Sequence, residues 1–427
     1  MTALEAGRKL TNWGAHGDSS TDWREGTRSE RRAGDGPDGT TALFGASTSP
    51  SLAFSRVRET FLLLIALCAL TVGACQSDRS AAAPDASAGA ATVASPAQPS
   101  PRATRGDGVY APVSNVELEQ AIARDVAEID QLMNAVAQGQ SFPSGEILEL
   151  YEHGKHARIG GQSRSLRGFA TRPSLAREFP EDAGFYGSES FLDDSVIVAI
   201  SGTGGSAALS PEQRRQAIQK GLLRILRYWS LQELVTAEPK LRAGNVGPIQ
   251  GAPRDVDAAW AIYVGPESAG QYPFSLAAAA RSLEENFGRS GTIDQPLRVA
   301  LTRAQQAALQ NSRPEFAAAR TEVISRLNAI FYLETARDLT ETARAAQAGD
   351  HVGAMNVQVA GYAAYLAIQP FVAIADPDAD RTIVAVLRSE PTTLSLASRD
   401  EALGALNRVA GALGLGPADL LSPADFR

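Results

Sequence analysis

Along residues 113–427, apolar positions return every three to four residues, and alternation with a period of two is scarce, so the pattern predicts helices. Val116, Ile122, Val126, Ile129 and Met133 mark a helix over about 114–139, opened by Ser114-Asn115-Val116-Glu117 as a capping box. A second is expected over about 144–158, stopped by Gly160-Gly161. Gly, Pro and Arg make 159–185 a long loop, and a short helix over about 188–200 precedes Gly202-Thr203-Gly204-Gly205, a flexible turn. Ser210-Pro211-Glu212-Gln213 opens a helix to about Ala237 that carries Ile218, Leu222, Ile225, Trp229 and Leu234. After a Pro/Gly-rich connection over 239–253, helices are expected at about 255–264, 273–287, 293–311, 314–347 and 350–375, the last bent or ended by Pro370. Short helices and loops fill 380–427. The fold class is all-α, a multi-helix bundle or two packed sub-bundles.

The N-terminal quarter has a different pattern. Residues 1–50 are rich in Gly, Ser, Thr, Asp and Arg without apolar periodicity, and read as a disordered or misassigned leader. Next, Arg56 and Arg58 precede the apolar run Phe61–Leu70, which ends in Val72-Gly73-Ala74-Cys75. Positive flank, short apolar run and small residues describe a signal peptide, assigned to 51–75, and the run is too short to cross a bilayer comfortably. The last four residues resemble a bacterial lipobox, in which the cysteine is lipidated and becomes the mature N-terminus. Cys75 is thus the expected anchor, and the protein an exported periplasmic or cell-surface lipoprotein. A signal peptide normally begins a chain, so translation is expected to start late, at a codon for Leu52 or Val57. A cytoplasmic precursor whose intact mass begins at Met1 excludes that start. Residues 76–112, dominated by Ala, Ser and Pro, form a linker to a helical domain at 113–427.

Composition narrows the chemistry. Cys68 and Cys75 are the only cysteines, so the domain has no disulfide, thiolate metal site or cysteine nucleophile. Residues 1–75 carry eight basic and eight acidic residues, so the remainder keeps the whole net charge of −8. An acidic domain lacks the electrostatic footprint of nucleic-acid binding and is compatible with cation capture or with plain solubility. Gly-x-x-x-x-Gly-Lys-Ser/Thr, His-Glu-x-x-His and Gly-x-Ser-x-Gly are all missing, and nothing nominates a nucleophile, so no enzymatic activity is expected.

Two acidic constellations stand out. On an ideal helix Glu149, Glu152, His153 and His156 fall at about 0°, 300°, 40° and 340°, one face with ligand types suited to iron or zinc. Ile147, Leu148, Leu150 and Tyr151 oppose them, so the same four also describe a solvated outer face. Glu334, Asp338 and Glu341 share a face that continues the apolar stripe of Val323, Leu327, Ile330 and Phe331. Core-facing carboxylates need a cation, protons or basic partners, and Arg337 and Arg344 are close in sequence. Glu233, Asp255, Asp257 and Glu284 read first as capping or solvated acids. Tyr362 and Tyr365 read as core residues that satisfy a hydrogen bond.

The order of several segments resembles the low-iron-inducible periplasmic proteins, an iron-assimilation family first associated with algae. The segments are Tyr151-Glu152-His153-Gly154-Lys155, Ser165-Leu166-Arg167-Gly168-Phe169-Ala170, Gln216–Gly221 leading to Trp229, Asp257–Gly265 and Ala280–Gly288. The resemblance spans about 115–375. It implies a secreted helical protein that assists iron acquisition, and supplies no ligand set. Acids within the resembling segments are Glu152, Asp257 and Glu284; a lipid anchor would depart from a freely secreted form.

The expected function is therefore a membrane-anchored lipoprotein that binds iron or another metal ion, or assists iron uptake, through carboxylate-rich sites in a helical bundle. The candidate metal ligands are Glu149, Glu152, His153, His156, Asp257, Glu284, Glu334, Asp338 and Glu341. Partners are a metal ion and, through the lipid, a membrane, with no nucleic acid. The rival reading is a surface scaffold that holds no metal. An imelysin-like metal lipoprotein ranks lower because Gly-x-His-x-x-Glu is absent.

Overall fold

The computed structural model describes residues 110–137, 140–266, 274–421 and 425; Cys68, Cys75, the leader and the linker up to residue 109 lie outside them. The expected bundle is present. Glu117–Gln120 (α1), Ile122–Ala137 (α2) and Ser144–His153 (α3) lead into a hairpin of Arg158–Ile159 (β1) and Gln162–Ser163 (β2), the only strands among the described residues. Leu166–Ala170 (α4), Leu175–Glu178 (α5), Pro180–Tyr186 (α6) and Asp193–Ser201 (α7) follow. The main rods are Pro211–Arg242 (α8), Ala252–Val264 (α9), Leu276–Asn286 (α10), Asp294–Leu309 (α11), Arg313–Gln347 (α12) and His351–Tyr365 (α13). Gln369–Ala375 (α14), Pro377–Leu387 (α15) and Leu396–Arg408 (α16) complete the α-helices.

The two longest helices, α8 and α12, are shared by two groups. On one side α9 packs on α8 and α11, and α11 on α12; on the other, α13 packs against both α12 and α8, with α15 and α16 beyond. One continuous hydrophobic cluster joins the groups. It holds Phe316, Val323, Leu327, Ile330 and Phe331 of α12, whose spacing is that of a helix stripe, and each such fully buried side chain contributes about 1.5–3 kcal/mol. Two arginines of α8 are buried with them. Arg224 lies 4.6 Å from the Tyr186 ring and Arg227 4.7 Å from that of Tyr228, so aromatic faces, and an Asn328 bond to Arg227, offset much of their desolvation.

Several boundaries differ from expectation. The Ser114 capping box does not form: Asn115 Oδ1 takes the Glu117 N–H at 3.0 Å, Val116 is the cap residue, and the Ser114 N–H goes to Asp257 Oδ2 at 2.9 Å. A tertiary carboxylate has outcompeted a local one. The Ser210 capping box does form, with Gln213 as its partner, and α8 runs past Pro239 to Arg242 because the missing N–H falls in the last turn. The second helix ends at His153, five residues early, and the expected loop 159–185 contains the hairpin and most of three short helices. The expected helix 350–375 is two, bent by 72° between α13 and α14, with Pro370 in the first turn of the second. No single described helix is long and apolar enough to cross a membrane.

Candidate functional site

A cavity of about 610 Å³ opens where α3 ends. Gly154 makes that exit possible. Its φ is +61°, and a Cβ there would stand 2.7 Å from the Arg164 carbonyl oxygen and 3.2 Å from Asp125 Oδ2, so only glycine fits. Buried Asp125 then pins the departing chain by accepting the Lys155 and His156 N–H groups at 2.8 and 2.9 Å. The hairpin turns at Gly160-Gly161, both at positive φ (60° and 80°), as a two-residue turn requires, with Arg158 opposite Ser163 and Ile159 opposite Gln162. It returns to α4, whose N-terminus is capped by Ser165.

The cavity walls are the end of α3 (Glu152, His153), the hairpin, Arg164, the face of α4 carrying Phe169, and Arg172; Trp229 of α8 forms the floor. Phe169 and Trp229 are stacked at 4.6 Å with an interplanar angle of 3°. Both are buried, and the Arg172 guanidinium lies 5.4 Å from the Phe169 ring. Three guanidiniums, Arg158, Arg164 and Arg172, therefore line the cavity against one carboxylate, Glu152. That carboxylate is paired with Arg167, which also reaches Asp193 at 3.4 Å. In an acidic protein the cavity is a locally basic site.

A charged layer lies behind the floor. Glu119, fully buried, pairs with Arg254 at 2.7 Å and with Arg164 at 3.3 Å. Glu233 accepts the Trp229 indole N–H at 3.2 Å. Burial pushes the Glu233 carboxyl up to about 7, with Asp255 and Glu119 adding to the shift and Arg164 and Arg254 opposing it. Glu233 and Asp255 are thus buried rather than solvated, the latter paired with Lys240 at 2.7 Å.

The nine candidate ligands are dispersed. Glu149 and His153 remain neighbours on α3, 3.8 Å apart and largely exposed, and Glu152 lies 4.0 Å from His153. His156 leaves this face because the helix stops three residues before it; its ring meets Glu128 at 2.7 Å. Asp257 accepts four bonds, from Tyr110, Val113, Ser114 and Gln305, and so fastens the start of the domain to α9 and α11. Glu284 accepts the N–H groups of Gly291, Ile293 and Asp294 and thereby caps the entrance to α11, as a capping acid was expected to do. Glu334 and Asp338 do point into the interior, where Glu334 meets Lys220 and both meet Arg337, at 3.2 and 2.8 Å. Burial alone would raise Glu334, but Lys220 and Arg337 hold it below the usual range, whereas burial leaves Asp338 raised. Glu341 pairs with Arg344 at 3.0 Å near the surface. Among the described residues no three His, Cys, Asp or Glu side chains form a group able to hold a metal ion.

The acidic constellations in the sequence did not disclose the arginines of the cavity. Arg158 was read as the end of the second helix, and Arg164 and Arg172 lie in the stretch read as a loop, so no periodicity ties the three together. The available signal was the pair of segments Tyr151–Lys155 and Ser165–Ala170 flanking a Gly-Gly turn, a spacing that brings the ends of α3 and α4 face to face. Comparison with known proteins gives one finding: the family model described as low iron-inducible periplasmic protein matches residues 83–422. No curated protein and no solved structure matches the chain.

Proposed function

Because the chain belongs to the low iron-inducible periplasmic protein family, we propose that it is an exported, membrane-tethered accessory of iron assimilation, one that captures iron without catalysing a reaction. The observation that carries this reading is a convergence. Three of the segments on which the family resemblance rests, Tyr151–Lys155, Ser165–Ala170 and the helix containing Trp229, contribute walls and floor to the same 610 Å³ cavity. A cavity of that size suits a small-molecule ligand. Of the groups lining it, Glu152 and His153 are strong metal ligands, and Glu149 lies 3.8 Å from His153. The basic flank, apolar run and Cys75 support export and tethering.

The test is iron retention. Full-length protein carrying Cys75→Ser, purified in soluble form, should retain radioiron in equilibrium dialysis and gain thermal stability as iron is titrated, since a ligand bound only by the native state stabilises it. Unchanged melting and no retention across several iron species would refute capture. The same substitution should abolish incorporation of radiolabelled fatty acid into the protein in its host; labelling that persists would refute the anchor. One observation favours the scaffold reading: Glu334, Asp338, Glu341, Asp257 and Glu284 all have internal partners. A scaffold predicts loss of the fatty-acid label with no iron effect.

A further inference from the structure

We propose that the cavity takes iron as an anionic chelate, a ferric complex of a small polycarboxylate, and not as a bare cation. This rests on the iron-capture reading above and specifies the species captured. The lining is the argument. A hydrated ferrous or ferric ion entering here would meet Arg158, Arg164 and Arg172, while the one lining carboxylate, Glu152, already faces Arg167. Guanidinium forks match carboxylate geometry and hold it by paired, charge-assisted hydrogen bonds.

The arginines have capacity for it. Arg158 donates to the His153 carbonyl oxygen at 3.0 Å and Arg172 to the Gln232 side-chain oxygen at 3.2 Å; among the described residues neither has a carboxylate partner. Arg164 shares the single buried carboxylate of Glu119 with Arg254. Cationic charge thus exceeds anionic charge in the lining of this cavity, while the core-facing acids Glu334 and Asp338 are neutralised by Lys220 and Arg337. The stacked Phe169 and Trp229 rings supply an apolar floor against which the carbon skeleton of a chelator would pack. The shared chemistry, a polycarboxylate anion, could also come from the metal-free acid, so the test must separate the two.

Full-length protein with Cys75→Ser is titrated by equilibrium dialysis at pH 7 with ferric citrate, metal-free citrate and ferrous sulfate in separate arms. Ferric citrate should bind most tightly, and Arg158→Glu and Arg172→Glu should each weaken it by about tenfold or more, the scale expected for losing a charge-assisted pair. Arg158→Lys, which keeps charge but loses the fork, should fall between. Arg158 is exposed, so its variants should melt with the parent and report binding rather than folding. Equal binding of citrate with and without iron would overturn the ferric part of the proposal. So would ferric citrate affinity unmoved by both charge reversals. Binding of ferrous ion alone would overturn the chelate class and leave iron capture standing. Absence of binding in every arm would overturn both.

Discussion

Two charged regions of this molecule solve opposite problems. Between α8 and α12, Glu334 and Asp338 lie in the interior, and Lys220 and Arg337 close on them; two negative and two positive groups cancel within a few ångströms. At the end of α3 the signs are unbalanced: Arg158, Arg164 and Arg172 face an open cavity with Glu152 alone among them. In the first region the charges have spent their interactions on each other, so they hold the bundle together. In the second, Arg158 and Arg172 have no carboxylate partner among the described residues, which leaves cationic charge available to an anion. Acidic side chains therefore mark the structure here, and basic ones mark the candidate function.

The largest effect should come from unbalancing the closed region. Arg337→Ala leaves Asp338, 2 % exposed, without its guanidinium, and breaking such a buried pair costs about 3–5 kcal/mol. Urea unfolding checks this. The deficit should be greater at pH 8 than at pH 5, because protonation relieves an unpaired buried carboxylate. A loss below about 1 kcal/mol would mean that the pair is solvated, as surface pairs are.

Glu233, beneath the cavity floor, should act more gradually. Its carboxyl, raised to about 7 from an ordinary 4.5, binds a proton more tightly folded than unfolded. Its contribution is therefore fully favourable below pH 4.5 and is lost as pH rises through 7. The shift corresponds to about 3 kcal/mol as an order of magnitude. Glu233→Gln keeps an acceptor for the Trp229 N–H and removes the titration. The stability difference between variant and parent should grow in favour of the variant from pH 5 to pH 8. A difference independent of pH would show that Glu233 is not held neutral.

How much of this the sequence disclosed depends on whether a feature is local. Helix α12 was legible almost to the residue, because Val323, Leu327, Ile330 and Phe331 repeat the helical period and Pro314 and Gly349 bracket it. Ser210-Pro211-Glu212-Gln213 was legible as a start because every partner lies within one turn. The first constellation failed at His156 because Asp125, 31 residues away, captures the chain as it leaves Gly154, and no helical wheel contains that bond. Glu284 was legible as a capping acid; the burial of Asp257 and Glu233 was not, since their settings are made by Tyr110, Gln305, Glu119 and Arg254 from distant segments. The cavity itself is a property of where loops end, which periodicity does not encode.

Gly154 sharpens the comparison from the backbone side. Gly154→Ala adds a Cβ against the Arg164 carbonyl, at a φ that alanine adopts with strain, and should cost about 1–3 kcal/mol. Because Arg164 lines the cavity and Asp125 lies on the other side of the same glycine, the displacement should also loosen ligand binding. Thermal unfolding and dialysis of one variant read both effects. A variant as stable as the parent would place the strain elsewhere.

The smallest stability effect should be at Arg158, and that smallness is the point. Its bond to the His153 carbonyl is exposed and its guanidinium faces solvent, so Arg158→Ala should change stability by no more than about 0.5 kcal/mol. In the closed region the same truncation, Arg337→Ala, should be among the most damaging single changes in the chain. A side chain that can be lost without cost to the fold, yet sits with two others of like charge around a cavity, is held there against electrostatic repulsion with no carboxylate partner among the described residues. If Arg158→Ala instead destabilises as much as Arg337→Ala, the cavity arginines belong to the architecture, and the distinction between the two regions disappears.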